Sequence, residues 1–153
     1  MASTNTTATA AATLAGVSLS TIRTWCRVGA VAAVKTAGKW VIDAASLARR
    51  IAIGAQREDA RIAAIEAAAD LVDTSAFKDA KKARDKAVQI LIDRSLVATR
   101  HEGQFLVVGS DAEHTYLVET VGERSCLCKG SAHWGRCSHL LAADINKILT
   151  LAA

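Results

Sequence analysis

The sequence is poor in the large, rigid side chains that fill a thick hydrophobic core. Its 153 residues include no proline, one methionine and only six aromatic residues, although 51% of the residues are hydrophobic. Much of that hydrophobic fraction is alanine, which adds little volume to a core. The composition therefore favours several small helical modules over one large domain.

The N-terminal segment also lacks the features of a targeting sequence. The stretch MASTNTTATAAATLAG has no positively charged start and no continuous leucine-rich run. It predicts neither a secretory signal nor a membrane helix, and we expect a cytoplasmic protein without membrane contact. In a reducing compartment disulfides are rare, and clustered cysteines more often bind metal.

Acidic residues are scarce in the first third of the chain. Residues 1–54 contain six lysines and arginines against one acid, residues 55–100 nine against eight, and residues 101–153 four against six. The net charge of +4 is therefore concentrated near the N-terminus. We expect a polyanion-binding surface, if the chain has one, in that first third.

Turn signals divide the N-terminal third into short helices and a hairpin. An alanine-rich helix should stop at Gly16, and Ser18 is placed to cap a second helix, LSTIRTWCRV, that ends at Gly29. The apolar runs AVAAVK and KWVI bracket the small-residue turn TAG, which predicts a hairpin. Asp43 should then cap a further helix.

This order of helix, turn, helix and hairpin resembles the winged helix-turn-helix of the MerR and excisionase-like families. The resemblance covers about residues 8–52. It implies a domain that binds double-stranded DNA through the second helix, with the hairpin as a wing. The residues that carry the resemblance are Ala15-Gly16-Val17-Ser18, Thr21-Ile22-Arg23, Trp25, Gly29, Lys39-Trp40 and Ile42-Asp43.

The second helix has one apolar and one polar face. Leu19, Ile22 and Cys26, with Trp25 beside them, are spaced to face a core. The other face offers hydroxyl and guanidinium donors to phosphates and guanine edges, although it is alternatively a solvated face that only aids solubility. The residues predicted to bind DNA are Ser18, Ser20, Thr21, Arg23, Thr24 and Arg27, with the wing lysines Lys35 and Lys39.

The middle of the chain, residues 55–100, predicts two helices with a break near residues 73–75. Ser75 should start the second of them, with Leu96 among its apolar positions. A coiled-coil seam in the first helix favours a homodimer, and the alternative is a helical hairpin within one chain. The seam positions are Ile51, Ala55, Glu58, Ile62, Ile65, Ala69 and Val72.

The last third of the chain combines a hairpin, four potential metal ligands and a helix. QFLVVGS and HTYLVETVG predict antiparallel strands, and LLAADINKILTL predicts an amphipathic helix. Between them lie Cys126-x-Cys128 and, eight residues later, Cys137-x-His139. Three thiolates and one imidazole suit Zn(II) in a closed tetrahedral site, which is typical of a structural rather than a catalytic metal.

This arrangement resembles the SWIM zinc finger, in which CxC and CxH lie on a strand–strand–helix frame. The resemblance covers about residues 104–149 and includes Tyr116-Leu117-Val118 and Leu140-Leu141-Ala142. It implies one structural zinc ion per chain and a contact with protein or nucleic acid. The proline that is frequent between the cysteine pairs of that family is missing here, which loosens the loop but leaves the ligands in place.

Other histidines and cysteines have different predicted roles. His133 lies within the gap and is an alternative nitrogen ligand to His139. His101 and His114 are expected at the surface, and Cys26 in the core of the N-terminal module. A redox dithiol would leave Cys137-Ser138-His139 unexplained, and a cysteine nucleophile lacks a third group. Without a phosphate-binding loop, paired carboxylates or an open metal position, we predict no enzyme activity.

The expected fold is mainly α with small β elements: a winged helix-turn-helix, a central two-helix segment and a C-terminal ββα zinc module. The expected function is sequence-specific DNA binding, as a transcription regulator or an excisionase-like architectural factor of a bacterium or phage. The alternative is an adaptor whose zinc module docks on a partner protein. The predicted segments are a disordered tail (1–7), the DNA-binding domain (8–54), a helical linker or dimerisation segment (55–100) and the zinc module (101–153).

Overall fold

The computed structural model describes residues 5–109 and 111–152. About 52% of the described residues are helical and 18% lie in strands, which form two small sheets. The helices are α1 (Ala8–Ala15), α2 (Leu19–Arg27), α3 (Ala44–Ala69), α4 (Ala80–Ile92), α5 (Lys129–Trp134) and α6 (Ser138–Leu151). The strands are β1 (Asn5–Thr7), β2 (Ala33–Thr36), β3 (Lys39–Asp43), β4 (Leu96–Ala98), β5 (Gln104–Val108), β6 (Thr115–Glu119) and β7 (Ser125–Cys126).

The chain divides into two compact units, residues 1–59 and residues 60–153. Helix α3 is continuous through this division, so no loop separates the units in sequence. The predicted helix after Asp43 and the first predicted helix of the central segment are therefore one element. No helix among the described residues is long and apolar enough to cross a membrane.

The first unit follows the predicted turn chemistry closely. Gly16 ends α1 in the left-handed conformation, with φ of 62°. The Ser18 hydroxyl caps α2 by accepting a hydrogen bond from the Thr21 amide at 3.2 Å. Asp43 accepts a hydrogen bond from the Ser46 amide at 2.7 Å at the start of α3. The predicted hairpin is confirmed, because β2 and β3 pair antiparallel across the turn at Gly38.

The prediction of a disordered tail over residues 1–7 is wrong for its last three residues. Residues 5–7 form β1, which pairs antiparallel with β3 so that the order in this sheet is β1-β3-β2. Thr7 also caps α1, its hydroxyl accepting a hydrogen bond from the Ala10 amide. Residues 1–4 lie outside the described residues.

The core of the first unit lies between α1, α2, the sheet and the start of α3. Ile22 and Cys26 are buried on α2, as predicted, and Trp25 packs at the edge of the same cluster. The Arg50 guanidinium lies 5.0 Å from the centre of the Trp25 ring. The fully buried cluster consists of Ala11, Ile22, Cys26, Val31, Ile42 and Leu47.

The second unit contains a helical core in which three helices meet. The buried residues come from the end of α3, from α4 and from α6. The Arg61 side chain donates hydrogen bonds to the carbonyls of Leu91 and Ile92, at 3.1 and 2.9 Å, and so ties α3 to the end of α4. The cluster consists of Ile65, Ala68, Ala69, Ala87, Val88, Leu91, Leu141, Ala142 and Ile145.

This packing uses part of the predicted coiled-coil seam. Ile65 and Ala69 are buried within the chain, and Val72 packs against the same cluster. These three residues already form the intrachain packing that the hairpin alternative requires. A dimer through residues 55–100 would have to use the remaining seam positions.

Two predicted boundaries in the second unit are wrong. Helix α4 begins at Ala80, not at Ser75, because Asp79 is its cap and accepts a hydrogen bond from the Lys82 amide at 2.9 Å. Leu96 lies on β4 and not in the helix, since β4 pairs with β5 through Leu96 and Val107. The predicted ββ hairpin is confirmed as β5 and β6, but it is the middle of a four-stranded sheet, β4-β5-β6-β7.

One face of this sheet packs against α6. Val107 and Val118, both fully buried, contact Leu140 and Ala143 in a cluster that also contains three cysteines. The sheet and α6 thus bring the two halves of the cysteine motif together.

Candidate metal centre

The four predicted ligands come from three elements that converge at one end of the second unit. Cys126 lies on β7, where it pairs with Val118 of β6. Cys128 is the N-cap of α5, and Cys137 is the N-cap of α6. His139 lies in the first turn of α6, two residues after Cys137.

The ligand atoms of these four residues form a compact group. All lie within 4.8 Å of one another, in the part of the chain that the structure describes. In a tetrahedral zinc site with Zn–S bonds of about 2.3 Å, neighbouring sulfurs lie about 3.8 Å apart. Small shifts would therefore bring the group to ligand distances. These four residues can hold a metal ion.

The site is enclosed on its thiol side. Cys126, Cys128 and Cys137 are 6%, 6% and 8% exposed, and His139 is half-buried. Four protein ligands of this kind complete a tetrahedral zinc site and leave no position for a substrate.

Backbone amides point at two of the sulfurs. The Ser131 amide donates to the Cys128 Sγ at 3.4 Å, and the Leu140 amide donates to the Cys137 Sγ at 3.5 Å. Such donors, together with the start of the long helix α6, stabilise negative charge on sulfur.

The His139 ring is positioned by a stack of rings. Its Nδ1 lies 3.6 Å from the Cys126 Sγ and is therefore the nitrogen that faces the thiols. The Tyr116 ring stacks on it with the ring centres 5.0 Å apart, and His114 stacks on Tyr116 at 6.3 Å. His114 is itself held by the Asp111 carboxylate, 2.6 Å from its Nδ1.

The three thiols interact with one another, so their pKa values move in opposite directions. The hydrogen bond with Cys137 lowers the pKa of Cys126, whereas burial raises the pKa of Cys128. The hydrogen bond with Cys126, and then burial, raise the pKa of the Cys137 thiol to about 12. Because metal-bound cysteines are thiolates, ion binding must release protons from Cys128 and Cys137 and must weaken as the pH falls.

His133 is not part of the group. It lies on α5, exposed, and the clustered nitrogen belongs to His139. His101 and His114 are exposed, and Cys26 is buried in the first unit, as predicted.

Two local features of the site were missed by sequence reasoning. The sequence pattern places Cys126 only between the hairpin and the last helix, whereas in the structure it lies on a separate short strand, β7. The gap between the cysteine pairs contains α5, which was not predicted. Its signal in the sequence was Gly135, which ends the helix with φ of 64°.

The predicted DNA-binding residues of α2 are mostly on its surface. Ser20, Arg23, Thr24 and Arg27 are exposed, and Thr21 is half-buried. Several of these side chains have partners within the helix. The Ser18 hydroxyl lies 2.7 Å from that of Ser20 and 2.9 Å from that of Thr21, and Arg27 donates to the Thr24 hydroxyl at 3.1 Å.

The two hairpin lysines are exposed but do not share a face. Lys35 pairs with Trp40, and Thr36 pairs with Lys39. Paired residues lie on the same face of a hairpin and neighbours alternate, so Lys35 and Lys39 project from opposite faces. They do not form a single basic patch.

Comparison with known proteins provides no additional guide to the site. No family model, curated protein or solved structure matches this chain.

Proposed function

We propose that the first unit is a winged helix-turn-helix that binds double-stranded DNA through α2, and that the second unit carries one structural zinc ion. The observation that carries the DNA-binding proposal is the exposed face of α2, where Arg23 and Arg27 lie one turn apart with no acid on the helix. Its opposite face is anchored in the core by Ile22 and Cys26. A rigid helix with exposed guanidinium groups fits the major groove.

The charge of the first unit supports this proposal. Residues 1–54 contain six basic residues and a single acid. That acid, Asp43, is half-buried, and its carboxylate is engaged in capping α3. Phosphate contacts by such a surface would supply most of the affinity and would make it strongly dependent on salt.

The zinc proposal rests on the type and closure of the ligand set. Three thiolates and one imidazole within 4.8 Å match Zn(II) in number and softness. The ion would join the start of α6 to two short elements, β7 with two residues and α5 with six. Its binding free energy would then be part of the folding free energy of this end of the unit.

A second candidate function is protein docking by the second unit, and the outer face of its sheet favours it. Val97, Leu106 and Leu117 oppose one another across β4, β5 and β6 on the face away from α6. Leu127, the residue after β7, lies beside Leu117 and continues this row. Val97 is 56% exposed and Leu127 74%. An apolar row of this kind is a surface that a partner protein can cover. The unit would then be an adaptor, and DNA binding by the first unit would be secondary.

The first experiment measures binding of the zinc-loaded chain to a random-sequence DNA duplex over a range of salt concentrations. We expect binding at low salt that weakens steeply as salt rises. Changing both Arg23→Ala and Arg27→Ala should reduce the salt slope by about two, because about 0.9 counterions are released per phosphate contact. Selection from a random duplex library would then show whether the site is palindromic.

The matched control is the pair Lys78→Ala and Lys81→Ala. These two lysines are exposed in the second unit, and their loss changes the net charge by the same amount. If the control weakens duplex binding as much as the arginine pair does, the interaction depends on net charge and not on α2. Absence of duplex binding at low salt would refute the proposal and leave the adaptor as the better candidate.

A further inference from the structure

The second unit has an open groove, and Cys128, Cys137 and His139 of the candidate metal centre form part of its lining. Its volume is about 1170 Å³, and it runs between α4, the end of the β5–β6 hairpin and the loop around the cysteine cluster. Such a volume exceeds the 300–1,000 Å³ that is typical of sites for small ligands, which also enclose their ligand. The groove is therefore better suited to a segment of a polymer.

Four basic side chains line the groove from two sides. Lys82 and Lys86 lie one turn apart on α4. On the other side, Lys129 is the first residue of α5, and Arg136 follows the end of that helix. All four are exposed. Within the described part of the chain, none of them has a hydrogen bond or ion pair through its side chain.

The acidic residues of the groove are, in contrast, engaged within the chain. Asp79 caps α4, and Asp93 accepts a hydrogen bond from the Gln89 side chain at 2.8 Å. Asp111 binds the His114 ring and accepts hydrogen bonds from two backbone amides. These three carboxylates keep their charge, but their oxygens are already engaged, whereas the four cations have no partner in the described part of the chain. The groove therefore favours an anionic ligand.

An exposed indole gives the groove a second recognition element. Trp134 lines it and is 73% exposed, which is unusual for the largest apolar side chain. It ends α5, two residues before Arg136. A flat ring next to cations suits a chain in which negative groups alternate with planar rings.

We propose that this groove binds single-stranded nucleic acid. Lys82 and Lys86 on one side, and Lys129 and Arg136 on the other, contact the phosphates, while an unpaired base stacks on Trp134. A duplex is a poorer ligand because its stacked bases do not present their faces to the indole. An acidic peptide would satisfy the cations but offers no regular series of rings.

This proposal does not depend on the DNA-binding proposal for α2, and the experiment keeps the two apart. The experiment uses the full zinc-loaded chain with Arg23→Ala and Arg27→Ala, so that the two arginines of α2 cannot contribute to binding. The ligands are fluorescein-labelled twelve-nucleotide strands of deoxythymidine and of uridine, which form no stable secondary structure. Binding is measured by fluorescence anisotropy at several salt concentrations, with a poly-glutamate peptide and a DNA duplex as competitors.

We expect both single strands to bind at low salt and to resist competition by the duplex. Changing Lys82→Gln and Lys86→Gln should lower the salt slope by about 1.4, or 0.7 for each lost phosphate contact to a single strand. Trp134→Leu should weaken binding about 10-fold at unchanged salt slope, since stacking does not release counterions. The control pair Lys78→Gln and Lys81→Gln, whose side chains do not line the groove, should have no effect.

Zinc content and circular dichroism confirm that each variant is folded. Because Trp134 and the lysines are exposed, their replacement should leave both readings unchanged. The proposal is wrong if neither strand binds at low salt, or if the Trp134→Leu variant binds as tightly as its parent. It is also wrong if the control variant loses as much affinity as the variant with Lys82→Gln and Lys86→Gln. Stronger binding of poly-glutamate than of either strand would also overturn it and identify the groove as a peptide site.

Discussion

At the scale of single residues, one serine and two cysteines cap the starts of helices in the same way. Ser18, Cys128 and Cys137 each precede a helix and each accept a hydrogen bond from the amide three residues later. The serine role was predictable from sequence because serine is a common N-cap. Cysteine is not a common N-cap, so the sequence predicted the thiols as candidate ligands but did not predict that Cys128 starts a helix.

Replacement of Ser18 by alanine should destabilise the first unit by about 1 kcal/mol, because the Thr21 amide loses its acceptor. The measurement is urea denaturation followed by fluorescence in a Trp134→Phe background, where both remaining indoles, Trp25 and Trp40, belong to the first unit. Ser20→Ala is the matched control, because the Ser20 hydroxyl is exposed and accepts no hydrogen bond from a backbone amide. Its effect should stay within about 0.5 kcal/mol, and equal losses for the two variants would contradict the capping role.

At the scale of elements, local signals were predictable and long-range pairings were not. The turn at Gly16, the cap of α2 and the β2–β3 hairpin all depend on neighbouring residues, and all are confirmed. Strand β1 depends on a partner far along the chain, β3, and was not predictable. Strand β4 pairs with β5 across the short connection of residues 99–103, so it was missed for a different reason. Asn5–Thr7 is short and polar, and Leu96 continues the apolar spacing of α4, so neither strand has a local pattern that identifies it.

The long helix α3 contains a glycine, a residue with low helix propensity. Gly54 lies in its middle, where glycine costs conformational entropy, and an added Cβ would meet no atom within 4 Å. Gly54→Ala should therefore stabilise the protein by about 0.5–1 kcal/mol in urea denaturation followed by circular dichroism. The same change at Gly38, which has φ of 80° in the hairpin turn, should instead destabilise it by about 1 kcal/mol. Destabilisation by Gly54→Ala would show that α3 is bent or interrupted at that position.

At the scale of the whole molecule, the hydrophobic residues form separate small cores, as the low aromatic content predicted. One cluster lies entirely in the first unit, and two lie in the second. The cysteines belong to only one of them, the cluster between the sheet and α6. The first unit contains no cysteine of the metal centre.

Chelation of the metal should therefore act on one unit. If the proposed zinc ion joins β7, α5 and the first turn of α6, its removal with EDTA should accelerate amide exchange in these elements. Exchange in α2 and in the β2–β3 hairpin should not change. Hydrogen exchange with mass spectrometry, with and without zinc, makes the comparison. Equal acceleration in both units would contradict the separation of the cores.

The central claim is that Cys126, Cys128, Cys137 and His139 form one closed zinc site, and native mass spectrometry with elemental analysis tests it most directly. We expect one zinc ion per chain, retained in His133→Ala. Loss of a residue that only hydrogen-bonds a zinc ligand lowers zinc affinity by roughly 10- to 100-fold. Cys137→Ser and His139→Ala each remove a ligand itself, so each should lower zinc affinity by more than that. A chain that folds with no zinc bound, or that loses its zinc in His133→Ala and keeps it in His139→Ala, would contradict the claim.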